Sequence, residues 1–90
     1  MLGPFIELVG TFVFVSVVLL SNSDPFLIAA GLVGAIVFSR HAGPAHLNPA
    51  VSTALYVRRK ITAMQYISYV TAQLIGAFIA VAWVSASGAS

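Results

Sequence analysis

The chain has 90 residues, 60% of them hydrophobic and 7% charged, with a mean hydropathy of +1.03, whereas a soluble domain devotes about a quarter of its residues to charge. A soluble domain this small leaves too much surface wet to hide so large an apolar fraction, so the bilayer is the main solvent and there is room for one domain. The net charge of +2 rests on only four Lys and Arg, which argues against nucleic acid, and the lack of cysteine excludes disulfides, thiolate metal sites and cysteine nucleophiles.

The first apolar run, about Leu2 to Leu20, is close to the roughly 20 residues that cross a hydrocarbon core as a helix. No Lys or Arg precedes it, and it carries Glu7 and Gly10, so it reads as a retained span rather than a cleaved leader. Ser21 to Asp24 make a turn whose side chains can cap helix ends, and Pro25 suits the first turn of the next helix. The second span is expected over about residues 26–42. Its apolar part, Phe26 to Phe38, is short for a span and calls for tilt or interfacial flanks. Gly31, Gly34 and Ala35 keep its surface small, which favours close helix contact.

The segment of about 43–57 is neither a full span nor a plausible wet loop. Asn48 is a good cap and Pro49 a good first helical residue, so a helix is expected from there to Val57. Its length of about 13 Å is near half the hydrocarbon thickness. With Arg58, Arg59 and Lys60 anchored at the interface, this half-helix begins near mid-membrane, its positive end and the Asn48 amide facing whatever space lies there. Non-helical backbone at that depth, His41 to Leu47, must be buried in protein or line water. The third span, about 61–84, carries Ala72, Gly76 and Ala80 at spacing four, a helix-contact stripe. Gln65, Ser68, Tyr69 and Gln73 put polar groups near the same side, and Gln73 is expected to support the loop.

ELVGTF in the first span, GPAHLNPAVS in the loop and AQLIGA in the third span resemble, in order and separation, the N-terminal half of the aquaporin and glycerol-facilitator (major intrinsic protein) family. The resemblance implies an all-α membrane protein, half of an aquaporin-like fold, with three transmembrane helices plus one re-entrant loop and half-helix in a single unit over 1–90. It implies that Asn48 is one of two pore asparagines, that Pro49 and Ala50 contact a second half-helix, and that His46 orders the loop. It further implies that Glu7 is a buried brace and that Ile28 stands where the second helix usually gives an aromatic residue to the outer constriction. The family's second repeat, with its constriction arginine, has no counterpart here; Val51 follows this NPA.

One copy cannot enclose such a pore. The partner half is a missing C-terminal repeat, a separate chain or an inverted copy of the same chain. Arg40, Arg58, Arg59 and Lys60 fall on the side of the N-terminus and Asp24 opposite, so the positive-inside rule puts the N-terminus in the cytoplasm and favours the first two. The expected protein is an oligomeric integral membrane channel of a plasma or bacterial inner membrane. It passes water or a small neutral solute such as glycerol and opposes cations and protons. Lipid is its surroundings, and no cofactor, nucleic acid or enzymatic activity is expected. His41 and His46 alone make a poor metal site. Thr11, one turn after Glu7, is placed to share its hydrogen bonds. The rival readings are a small proton-coupled transporter subunit with Glu7 as carrier, and a structural subunit without flux.

Overall fold

The computed structural model describes residues 2–89. Four helices, α1 Leu2–Leu20, α2 Pro25–Ser39, α3 Pro49–Val57 and α4 Ala63–Ala86, make up its regular structure. At 19 and 24 residues, α1 and α4 are long and apolar enough to cross a bilayer. α2, with 15 residues, reaches only about 22 Å against a hydrocarbon core of about 30 Å.

Local chemistry fixes the helix ends. Asp24 Oδ1 accepts from the backbone N–H of Phe26 at 2.9 Å and of Leu27 at 3.2 Å, with Pro25 as first helical residue, while Asn22 and Ser23 turn the chain at φ 53° and 63°. α2 stops at Ser39 rather than continuing to 42. Ser39 O takes the N–H groups of Ala42 and Gly43 at 3.0 and 2.9 Å, and Pro44 disfavours helix just before it. α4 starts at Ala63, behind a capping box in which Thr62 Oγ1 accepts from Gln65 N at 3.1 Å and Gln65 Oε1 from Thr62 N at 2.9 Å. α3 ends with Lys60 N–H bonded to Leu55 O at 2.8 Å and Arg59 N–H to Tyr56 O at 2.9 Å. That Schellman pattern places Arg59 at φ 60°, where glycine is usual.

α1 lies between α2 and α4, and α3 packs on α4. Glu7 meets Gln73, and Ser16 meets Trp83, so α1 and α4 run parallel; Gly31 against Val17 and Ser39 against Gly10 make α2 antiparallel to α1. Ala72, Gly76, Ala80 and Val84 form the buried face of α4. At Gly76 a Cβ would fall within van der Waals contact of Leu8 O and 3.1 Å from Phe12 N, so the α1 and α4 backbones almost touch. The expected contact stripe is therefore used against α1. Gly31 is used likewise against Val17, but a Cβ on Gly34 would meet nothing.

The distribution of polarity is inverted relative to a soluble protein. The largest fully buried side chains are Gln73, Glu7, Ser39 and Ser52, whereas Phe26 is 84% exposed and Met64 and Phe78 73% each. A polar interior under an apolar surface is stable only where the surroundings are apolar as well. Gly76→Ala is expected to separate α1 from α4 and cost about 1–3 kcal/mol, read as a lower melting temperature in detergent. Gly34→Ala is expected to be neutral or stabilising by up to about 1 kcal/mol through helix propensity.

Candidate functional site

Between α2 and α3 the chain runs without regular structure, and two of its non-glycine residues, Ala45 and Leu47, stand at φ 58° and 57°. Each such left-handed residue costs about 1–3 kcal/mol unless its surroundings hold it. What holds them is one carboxyl group. Glu7 is fully buried, its Oε2 accepts from His46 N–H at 2.9 Å, and its Oε1 accepts from Leu47 N–H at 2.8 Å. Successive N–H groups converging on one acceptor form a backbone nest, here filled by the chain's own side chain.

The third bond to Glu7 comes from α4. Gln73 Nε2 donates to Glu7 Oε1 at 2.8 Å and to Ser52 Oγ at 2.9 Å, and Ser52 Oγ lies 2.9 Å from His46 Nδ1. α1, the loop, α3 and α4 therefore meet in one hydrogen-bonded cluster. His46 is further held by an edge-on contact with Tyr69 at 5.3 Å between ring centres. Gly10 makes room beside it, since a Cβ there would run into Ser39 Oγ and lie 2.6 Å from Leu47 Cδ2.

The cluster dictates which groups the loop offers outward. The described peptide bonds include no cis bond, and in a trans peptide the C=O points opposite to the N–H. With the N–H groups of His46 and Leu47 turned to Glu7, the carbonyls of Ala45 and His46 point away from it. Next in the chain, Asn48 caps α3, its Oδ1 accepting from Ala50 N–H at 2.7 Å. The Asn48 acceptor is thereby committed, and its Nδ2 donor is left at the positive end of α3. Asn48, Pro49, Ala50 and Val51 are all exposed. The loop thus turns two acceptors away from Glu7 and is followed by a donor at Asn48, where the uncovered stretch begins.

Other residues fall elsewhere. Ile28 is half-buried in the first turn of α2, at the end remote from Asn48. Arg58, Arg59 and Lys60 are exposed between α3 and α4. Thr11 Oγ1 is buried without a hydrogen-bond partner, so the sharing of Glu7 expected of it falls to Gln73. Ser52 is the junction of the cluster, bonded to both His46 and Gln73. The available signal was the Ser52–Thr53 hydroxyl pair one turn after Asn48 in an otherwise apolar helix. Thr53 is likewise tied in, with its Oγ1 2.8 Å from Tyr66 OH.

The profile of the family described as "Major intrinsic protein" matches residues 7–89, so the match begins at the bracing carboxyl group and takes in the whole cluster. The chain belongs to the major intrinsic protein family. It is similar to a glycerol uptake facilitator protein-like 6 from Lactiplantibacillus plantarum, 38% identical over 93% of this chain and 44% of that protein. It is also similar to an aquaglyceroporin-2 from Rhizophagus irregularis, 33% identical over 88% of this chain and 29% of that protein. The chain thus spans less than half the length of these major intrinsic protein relatives and matches their N-terminal part. No solved structure matches it significantly. Family and apolar helices together make it an integral membrane protein.

Glu7→Gln is expected to set an amide NH₂ against a backbone N–H of the loop, stranding a buried donor at a cost of about 1–3 kcal/mol. Faster proteolysis within 41–47 and a lower melting temperature report it. Gln73→Leu, which leaves both backbone bonds to Glu7 in place, is expected to cost less.

Proposed function

We propose that the chain is one half of a passive transmembrane channel, over residues 1–90 as a single unit, conducting water or a small neutral solute such as glycerol. In this reading α1, α2 and α4 are the three spans, α2 being completed by its flanking turns, and the segment 43–57 re-enters the membrane with α3 as its half-helix. The observation that carries it is the donor at Asn48 Nδ2 beside the outward carbonyls of Ala45 and His46, in a loop locked by Glu7. A water or hydroxyl moving past this point finds acceptors and then a donor at fixed spacing, which replaces part of its hydration without trapping it. A cation meets the positive end of α3 and is opposed.

Pro49 and Ala50 would meet the corresponding half-helix of a second, aquaporin-like half. The exposure of Asn48 to Val51 supports such a cover, because a bare apolar and polar mid-membrane face has no suitable solvent. That half is a C-terminal repeat or a separate chain, with an inverted copy of this chain as the less favoured arrangement, and the complete channel is an oligomer. Ile28 would contribute to the outer constriction and leave it wider than an aromatic residue would, which favours solutes larger than water. Glu7 and Gln73 are the loop's support, and Arg58, Arg59 and Lys60 hold the end of α3 at the interface. With Arg40 they set the N-terminus in the cytoplasm of a plasma or bacterial inner membrane. No residue here is assigned an enzymatic role. The burial of Glu7 and its three N–H donors support a brace over a proton carrier.

Stopped-flow light scattering of proteoliposomes holding the native assembly tests the proposal. Osmotic shrinkage and glycerol entry are expected to be fast and unchanged when an uncoupler collapses the proton gradient. Asn48→Leu is expected to slow them roughly tenfold or more, the equivalent of losing about 1.4 kcal/mol of barrier lowering. Flux that ceases with the proton gradient would sink the channel reading.

A further inference from the structure

The chain's two acids are Glu7 and Asp24. Glu7 is fully buried with both oxygens bonded, and Asp24 caps the start of α2, at the far end of the bundle from Arg58, Arg59 and Lys60. Among the described residues no carboxylate lies at that end to pair with these three exposed cations, which leaves them open to an external anion. The first turns of α4, which begin just past these cations, line with the start of α1 a groove of about 190 Å³ formed by Gly3, Pro4, Met64, Gln65, Ser68 and Tyr69.

Cations and groove are held together covalently and by contact. Lys60 is two residues from Thr62, at most about 7 Å along the chain, and Thr62 is hydrogen-bonded to Gln65 of the groove wall. Tyr56 stacks on Tyr66 at 4.7 Å and 2°, clamping the end of α3 to the start of α4. Gln65 Oε1 is committed to Thr62 N–H, which leaves its Nε2 as a donor at the groove's rim. The neighbouring groove wall is apolar at Pro4 and Met64.

We propose that this groove seats one anionic phospholipid, its phosphate held by Arg58, Arg59, Lys60 and the Gln65 amide and its glycerol-ester region lying against Pro4, Met64 and Ser68. The charge complementarity selects an anionic headgroup, and the apolar wall selects a lipid over a free phosphate. The proposal rests on the membrane-spanning reading above. The lipid would brace the junction of the half-helix and α4 from the cytoplasmic side.

Native mass spectrometry of the detergent-purified assembly, titrated with phosphatidylglycerol or phosphatidylcholine of identical chains, tests it. Phosphatidylglycerol is expected to be retained in preference. The triple variant R58Q/R59Q/K60Q is expected to lose roughly tenfold or more of that retention, and Ser68→Phe, which fills the groove and keeps every charge, is expected to lose it too. Should the triple variant not fold, retention by the unaltered protein is expected to fall at about 1 M salt, where the Debye length is about 3 Å. Equal retention of both lipids overturns the proposal. So does full retention by Ser68→Phe, which would mean surface charge alone, or displacement by water-soluble glycerophosphate. A chain soluble without detergent overturns the membrane reading as well. One that needs detergent yet shows no lipid preference overturns this proposal alone.

Discussion

Lipid offers no hydrogen bonds, and every unusual feature of this chain follows from that constraint. A helix satisfies its own backbone, but the segment after α2 leaves helical geometry before α3 begins. In the proposed re-entrant arrangement, its N–H groups need partners from inside the protein. Glu7 supplies them, and in doing so it fixes Ala45 and Leu47 in conformations that they would not hold alone. The same carboxyl group thereby determines which way the loop carbonyls face.

A polar cluster of this kind has to be enclosed, and the enclosure is made of small residues. Gly76 lets α4 approach the α1 backbone, Gly10 admits Leu47, and Gly31 admits Val17. Bulk at Gly76 would push α4 from α1 and part Glu7 from Gln73, while bulk at Gly10 would displace Leu47 and its bond to Glu7. The larger apolar side chains are turned outward, where lipid receives them at little cost. Farther along the same interface Trp83 Nε1 donates to Ser16 Oγ at 2.8 Å, a second polar strut between α1 and α4. The two struts, one near each end, fix the axial register of these parallel helices.

Much of the architecture was legible from residue order. Asn48 and Pro49 announce the start of α3 because cap and first-turn preferences are local, and the run of cations announces its end. Glu7 was recognisable as a buried group because an acid inside an apolar run has few other fates. Its partners were harder to read. Backbone N–H groups carry no residue identity, so nothing in the letters distinguishes His46 and Leu47 as its donors. Of the hydroxyls, Thr11, one turn after Glu7, reads in sequence as the better placed partner, and Ser52 carries no such signal. The three-dimensional approach of α4 makes Ser52 a junction and leaves the Thr11 oxygen unpartnered. Gly31 and Gly34 look interchangeable, and only the crossing of α2 over α1 tells them apart. The end of α2 at Ser39 depends on a turn bond to Gly43 that a hydropathy window does not register.

The brace also imposes an order of events on biogenesis. Glu7 lies 39 and 40 residues ahead of its backbone donors and 66 ahead of Gln73, and chains emerge from the ribosome amino end first. The first helix thus reaches the translocon carrying an acid whose donors have not yet been synthesised. Leaving the protein-lined insertion machinery for lipid at that moment would expose the acid at a cost of about 2.5–3.5 kcal/mol. Lingering at the insertion site until the later segments arrive removes that cost, and it makes release of the finished bundle a collective step rather than a helix-by-helix one.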